Sequence, residues 1–300
     1  MHIGSGPSYA EIEAGARLVI GEGEIFQLDE DIWIERLGKQ LATRIQRACE
    51  PPHYGIGSGE DDRHLYAFVR RVRTSDKGYE GLGELHAVLA LSRLVNPTTV
   101  GDRYCAHVFQ VDVEESPIKA ISPRGMSPDV LLSSRHRDWL SVGDAESLRN
   151  LMPWVSTEKR MHDRVHRAYW NHEYAMRSFY LDMRWPLVVS GLEALINVGK
   201  DDNKWQFRDR VGQLATEFKI VLTDTDLINA WDLRSKLVHG ERFLYGLETV
   251  LPKDQQNDLY ERLEELLRVT VRRCLLKEEF GDLFRDDAAV ESNWPLGAKP

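Results

Sequence analysis

From about Val142 onward the apolar residues return at three- and four-residue spacing through five or so segments, each closed by Pro, Gly or a short polar break. That periodicity constrains the fold more than any other feature, because it fits amphipathic helices and does not fit strands. Asp144 reads as the N-cap of a helix running to Met152, with Pro153 beyond it. Arg160 to Leu195 reads as helical throughout, as two helices divided near Pro186. Gln206 to Phe218 is a further helix. The next starts at Asp224 or Asp226 and is closed by Gly240 as its C′ residue. A last helix runs from Pro252 to about Phe280, with Leu259, Leu263, Leu266 and Leu267 on one side. Short connections between such helices predict a bundle over residues 142–285. Residues 286–300 read as a flexible C-terminal tail.

Residues 1–141 have a different, mixed α+β character and are expected to form a smaller N-terminal region. Asp31 to Ala48 reads as a helix through Ile32, Leu37, Leu41 and Ile45, stopped by Pro51-Pro52. Gly55 to Asp62 is a Gly- and acid-rich loop. Leu65 to Val72 and Tyr104 to Val113 read as strands, and Leu82 to Val95 as a helix ended by Asn96-Pro97. Pro117, Pro123 and Pro128 mark an irregular, linker-like segment. The fold class expected is mainly α: a C-terminal helical bundle preceded by this mixed region.

Composition narrows the class of function. With 42% apolar and 29% charged residues the chain can bury a core. A net charge of −9 argues against a protein that coats nucleic acid nonspecifically, since that needs clustered Lys and Arg, but it leaves room for one local basic site. The longest apolar stretch, Trp185 to Val198, is interrupted by Glu193 and falls short of the roughly 18 residues of a membrane span. Met1 to Ala10 lacks the basic and apolar regions of a secretory signal. Cys49, Cys105 and Cys274 are odd in number and far apart, which fits a reducing, cytoplasmic setting and offers no Cys-based metal site.

The helix from Asp226 to His239 carries the strongest chemical signal. At about 100° per residue, Leu227, Ala230, Trp231, Leu237 and Val238 fall on one face, with Arg234 in the middle of it. A guanidinium so placed requires a carboxylate, a ligand anion or a gap in the packing, because a buried unpaired charge costs several kcal/mol. His239 lies at the edge of the same face in the last turn, where the negative end of a helix dipole favours a cationic imidazole. An Arg followed by His five or six residues later is unspecific alone, occurring here from Arg47, Arg160, Arg167 and Arg234. The last of these combines an Arg on an apolar face with a His at a glycine-terminated helix end.

Leu233-Arg234-Ser235-Lys236-Leu237-Val238-His239-Gly240 resembles the signature of the HEPN superfamily, in particular its Apea-like branch. Arg184 to Ile196, containing Leu192-Glu193-Ala194-Leu195-Ile196, is similar to the helix that precedes the Arg–His helix in that branch, and Phe207 to Val211 falls where the family has its intervening helix. The resemblance extends over about 168–245. It implies a HEPN-type helical bundle that forms homodimers and cleaves single-stranded RNA without a metal or other cofactor. In that chemistry a base takes the 2′-hydroxyl proton, the oxyanion attacks phosphorus, and a 2′,3′-cyclic phosphate results. The resemblance assigns Arg234 to stabilising phosphoryl charge and His239 to general acid or base catalysis, either role being open. Ser235 stands where many active members carry Asn, Asp or His, and would orient a substrate oxygen or the His. Glu193 has two readings, a salt bridge that positions Arg234 or a plain solvated carboxylate. By analogy the setting would be prokaryotic defence or toxin-type regulation, with a regulatory protein as a further partner. A catalytically inactive HEPN module that binds RNA, nucleotide or protein is the alternative.

Other clusters carry less. Lys159, Arg160, Arg164 and Arg167 could form a basic stripe for RNA, or a solvated helix face. His162 and His166, one turn apart, have zinc-ligand spacing, but the arginines around them oppose a divalent cation. Arg70, Arg71 and Arg73 read as an exposed strand end or an RNA contact, and Arg268, Arg272 and Arg273 as a surface stripe with Glu261, Glu264 and Glu265 as local partners. Trp154, Trp170, Trp185 and Trp231 read as core and interface aromatics.

Overall fold

The computed structural model describes residues 2–4, 24–49, 66–71, 80–97, 104–108, 117–120, 140–155, 161–178, 180–199, 201–240 and 251–298. It is mainly helical, with a small N-terminal antiparallel sheet. The chain divides into two compact units, Met1–Glu158 and Lys159–Pro300. The boundary expected at 141/142 therefore moves, and the first unit is not the smaller one.

In the first unit, strands β1 (His2–Gly4), β2 (Ile25–Asp29), β3 (Ile32–Arg36), β4 (Tyr66–Arg70), β5 (Tyr104–Val108) and β6 (Ile118–Ala120) form one sheet in the order β2-β3-β4-β1-β5-β6, with every neighbour antiparallel. β3 replaces the start of the helix expected from Asp31. Ile32 and Ile34 are buried while Trp33 and Glu35 are only partly so, a period of two that favours a strand over a helix. Helix α1 (Lys39–Cys49) follows and buries Ala42 and Ile45 against Ala67, Val69 and Ala106 of the sheet. β4 is buried along its whole length. Its other face meets helix α2 (Glu80–Val95), where Arg70 donates from Nε to Glu84 at 2.6 Å, so Arg70 is a structural ion pair and not an exposed strand end.

Helix α3 (Val142–Leu151) belongs to this unit, packing on α2 and β2, and not to the bundle as expected. Its N-cap is Ser141. Asp144 stands at the third helical position and completes a capping box, its carboxylate accepting the Ser141 N–H at 2.8 Å. The loop at 55–62, Arg73, Pro123 and Pro128 lie outside the described residues.

The second unit contains α4 (Asp163–Arg177), α5 (Leu181–Ile196), α6 (Asn203–Glu217), α7 (Asp224–Val238), α8 (Lys253–Leu276), the single turn α9 (Glu278–Gly281) and α10 (Asp287–Asn293). α4 and α5 form a tight hairpin. The break between them falls at 178–180 and not at Pro186, which sits inside α5, early enough to disturb only its opening turns. Ser178 is extended, and its hydroxyl donates to the Tyr174 carbonyl at 2.7 Å, closing α4. Gly191 makes the hairpin close: a Cβ there would lie 3.2 Å from Asn171 Cβ on α4 and 2.6 Å from a Leu267 methyl on α8. Trp185 is wholly buried, and its indole N–H donates to the Ala230 carbonyl of α7 at 3.2 Å, so the ring adds apolar burial without an unsatisfied donor.

The tail is not loose. Asp286 caps α10 by accepting the Ala289 N–H at 2.8 Å, Val290 and Trp294 are buried, and Trp294 stacks on Phe284 with centroids 4.6 Å apart. Among the described residues no helix is long and apolar enough to cross a membrane.

Candidate functional site

α7 is built to present its C-terminal turn. Thr223 and Asp226 form a capping box at its start, and Gly240, at φ +67°, takes the left-handed conformation at its end, donating its N–H to the Leu237 carbonyl at 3.1 Å. The buried stripe is Leu227, Ala230 and Leu233. It is rotated from the expected one, for Trp231 and Leu237 are half-buried and Val238 is exposed. Arg234 consequently stands beside the buried stripe, with its side chain 24% exposed.

Arg234 Nη2 pairs with Glu193 Oε2 of α5 at 3.1 Å. Its guanidinium lies over the Trp231 ring at 5.5 Å, and Trp231 is backed by Phe207 of α6 at 5.5 Å between centroids. The Arg234 Nε is buried and has no acceptor among the described residues. Burial pushes the Glu193 carboxyl above its ordinary value, and the charge and hydrogen bond of Arg234 pull against that without cancelling it. The pair is thus held in place yet incompletely satisfied.

His239 is the C-cap of α7, exposed, with its backbone N–H donating to the Ser235 carbonyl at 3.0 Å. Among the described residues its imidazole has no partner. Ser235 and Lys236 are half-buried in the same last turns. Five residues along a helix carry a side chain about 7.5 Å forward and about 140° round, so Arg234 and His239 do not point the same way. The structure brings Arg234 and Glu193 together and leaves His239 open at the helix end.

What sets the position of Glu193 is the treatment of the end of α5. A helix leaves its last carbonyls without internal partners. Here Arg164 of α4 donates from Nη1 to the carbonyls of Ala194, Leu195 and Asn197 at 3.2, 3.3 and 2.7 Å, and pairs with Asp287 of α10. Arg210 of α6 donates to Ile196 O at 3.0 Å and from Nε to Trp294 O at 2.8 Å. Gln206 exchanges bonds with both the N–H and the carbonyl of Val198, at 2.8 and 2.7 Å. From the sequence Arg164 reads as part of a basic stripe for RNA or of a solvated helix face. The structure buries it as a helix clamp, because three carbonyls converge on one planar cation more effectively than water could serve them there. Arg210 is marked in the sequence only by being a charge on the apolar side of α6.

Comparison of the chain with protein-family models, with curated proteins and with solved structures finds no match.

Of the remaining basic residues, Lys159 and Arg160 lie outside the described residues, and Arg167 is exposed. The Arg167–His172 spacing brings nothing together, for His172 is fully buried, bonded to Glu264 of α8 at 2.8 Å. His162 Nε2 meets Asp282 Oδ1 at 2.9 Å, and His166 Nε2 accepts the Trp170 indole N–H at 2.8 Å, so the two ring nitrogens face different partners. Among the described residues no three His, Cys, Asp or Glu side chains gather as a cation site. On α8 the local pairing with Glu264 is present, but that carboxylate is buried and the arginines of the stripe are only partly exposed. Arg268 pairs with buried Glu264 at 3.2 Å, and Arg273 lies 4.3 Å over the Phe280 ring while pairing with Glu217. Cys274 is buried, and burial pushes its thiol up, away from reactivity.

Proposed function

We propose that the second unit is a metal-independent endoribonuclease of HEPN type, acting on single-stranded RNA with Arg234 and His239 as its reacting pair. The observation that carries the reading is the state of Arg234. It is held by one carboxylate and an aromatic face with its side chain still 24% exposed, about one and a half turns from an unpartnered His at a glycine-terminated helix end. Such a guanidinium retains donors for phosphoryl oxygens, and charge-assisted bonds of that kind strengthen as charge develops there. His239 takes the 2′-hydroxyl proton or supplies one to the leaving 5′-oxygen. Glu193 positions Arg234, and Ser235 orients a substrate oxygen. Because Arg234 and His239 diverge around the helix, one substrate is best gripped by the Arg of one copy and the His of another, which makes a homodimer through the bundle part of the reading. A cytoplasmic setting and control by a partner protein belong to the same proposal.

A second reading, a HEPN-like module that binds RNA or nucleotide without cutting it, is favoured by the ion pair itself: Glu193 already occupies one edge of the guanidinium. The two are separated by incubating mixed single-stranded RNA with wild type, Arg234→Ala and His239→Ala in EDTA and analysing the product ends. Cleavage by wild type alone, leaving cyclic phosphates, supports the nuclease. Absence of cleavage with Arg234-dependent RNA retention supports the binding module, and absence of both overturns the site.

A further inference from the structure

α4 turns Val165, Ala168, His172 and Met176 inward, and the opposite face carries a row of rings. His166, Trp170 and Tyr174 follow at four-residue intervals, with centroids 6.2 Å apart for the first pair and 5.7 Å for the second. Trp170 is 39% and Tyr174 55% exposed, and the planes of these two differ by only 30°. Large aromatic rings left in line on a surface are not accounted for by the core of this unit. The indole N–H is already spent on His166, which fixes the Trp170 ring and leaves its π face as what a ligand can use. Arg167 is exposed beside these rings. Its Nε reaches the Asp163 carbonyl at 3.4 Å, and among the described residues it meets no carboxylate. Asn171, next to Trp170, packs on Gly191 of α5, and Glu193 two residues further holds Arg234. One helix thus separates the row from the guanidinium.

We propose that Trp170 and Tyr174, with His166 holding the indole in place, are a stacking strip for the bases of single-stranded nucleic acid, with Arg167 meeting its phosphates. The ingredients are those of sequence-tolerant single-strand binding: the Trp170 and Tyr174 rings, 30° apart in plane, offer π faces, the His166 ring stands edge-on at 90° and holds the indole, and an exposed cation can replace counterions. The rise of about 6 Å per four helical residues sets the interval. The strip rests on the ribonuclease reading only for its purpose, which is to hold a strand on the same unit as Arg234, one helix away from it. It replaces the basic stripe as the strand-holding feature of α4, since Arg164 is turned inward.

The test is binding of a labelled oligodeoxythymidylate and an oligouridylate to the full chain by fluorescence anisotropy, in EDTA and at low salt. The DNA strand lacks the attacking 2′-hydroxyl, so binding is read apart from cleavage. Trp170→Ala and Tyr174→Ala should each weaken both ligands about 5- to 100-fold, with Trp170→Phe keeping most of the affinity. Arg167→Ala should flatten the salt dependence by roughly 0.7 in log Kd per log salt. Both rings are exposed, and circular dichroism verifies that the variants fold. Three results overturn the strip: no binding of either strand by wild type, wild-type affinity in both alanine variants, or loss of a dimer in Trp170→Ala by sedimentation, which would make the row a contact between copies. Trp170-dependent binding of DNA without any RNA cleavage leaves the strip standing and removes the nuclease; cleavage with Trp170-independent binding does the reverse.

Discussion

Arg164→Ala tests whether the end of α5 is held as the geometry indicates. The Arg164 side chain is 10% exposed and serves three carbonyls from one nitrogen, while its ionic partner Asp287 is 58% exposed. The exposed ion pair contributes little. The carbonyls matter more, because each buried acceptor left without a donor costs about 1–3 kcal/mol. Water can enter to satisfy the outermost, so the net loss should be about 3–4 kcal/mol. Arg164→Lys keeps the charge but places its three donors around a single point, and should recover about half of it. Hydrogen exchange read by mass spectrometry on peptides covering α5 isolates this unit from the first one. The expected result is a loss of protection across α5 of that size, with a fall in melting temperature on the order of 10 °C. A change in α5 protection below about 0.5 kcal/mol would refute the reasoning, and would mean that water serves these carbonyls as well as the arginine does.

Two further outcomes follow from neighbouring features. The Glu193 carboxyl is raised by burial, so its contribution to stability is complete below about 4.5 and is lost as pH rises through the folded value. Glu193→Gln should remove that loss, so its stability relative to wild type should improve between pH 4 and 7 in urea titrations; a pH-independent difference would contradict the burial argument. Gly191→Ala gains about 1 kcal/mol of helix propensity but drives a methyl into Leu267 and Asn171, and should be net destabilising by about 1–2 kcal/mol in thermal melts; a stabilised variant would show that the α4–α5 contact has room to give.

Much of the second unit was legible in its periodicity, since α6, α7 and α8 stand close to where the apolar spacing placed them, and Gly240 closes α7 by its positive φ. The position of Arg234 among apolar neighbours also called for a carboxylate, a ligand anion or a gap in the packing, and the structure supplies the first of these in Glu193. Three things were not readable, for distinct physical reasons. Ile32 and Ile34 satisfy a strand as well as a helix over so short a run, and the neighbouring strand β4 decided between them. Charged residues default to the surface, so the clamp formed by Arg164 and Arg210 cannot be seen until their acceptors, distant in sequence, come into view. Trp170 reads as a core or an interface aromatic, and its four-residue register with His166 and Tyr174 fits a buried stripe as well as an exposed one until the packing of α4 decides between them.

The clamp on α5 also has a consequence in time. Arg164 and Arg210 close around that helix end with help from Asp287 and from the Trp294 carbonyl. On a ribosome, α7 emerges about sixty residues ahead of Trp294, an interval of about 3–12 seconds at ordinary elongation rates. During those seconds the Arg234 helix exists as nascent chain while the scaffold that orients Glu193 against it still lacks its last donors and acceptors. A ribosome stalled between α8 and α10 would therefore display a bundle with every residue of the candidate site already made and the partner of Arg234 not yet locked in place.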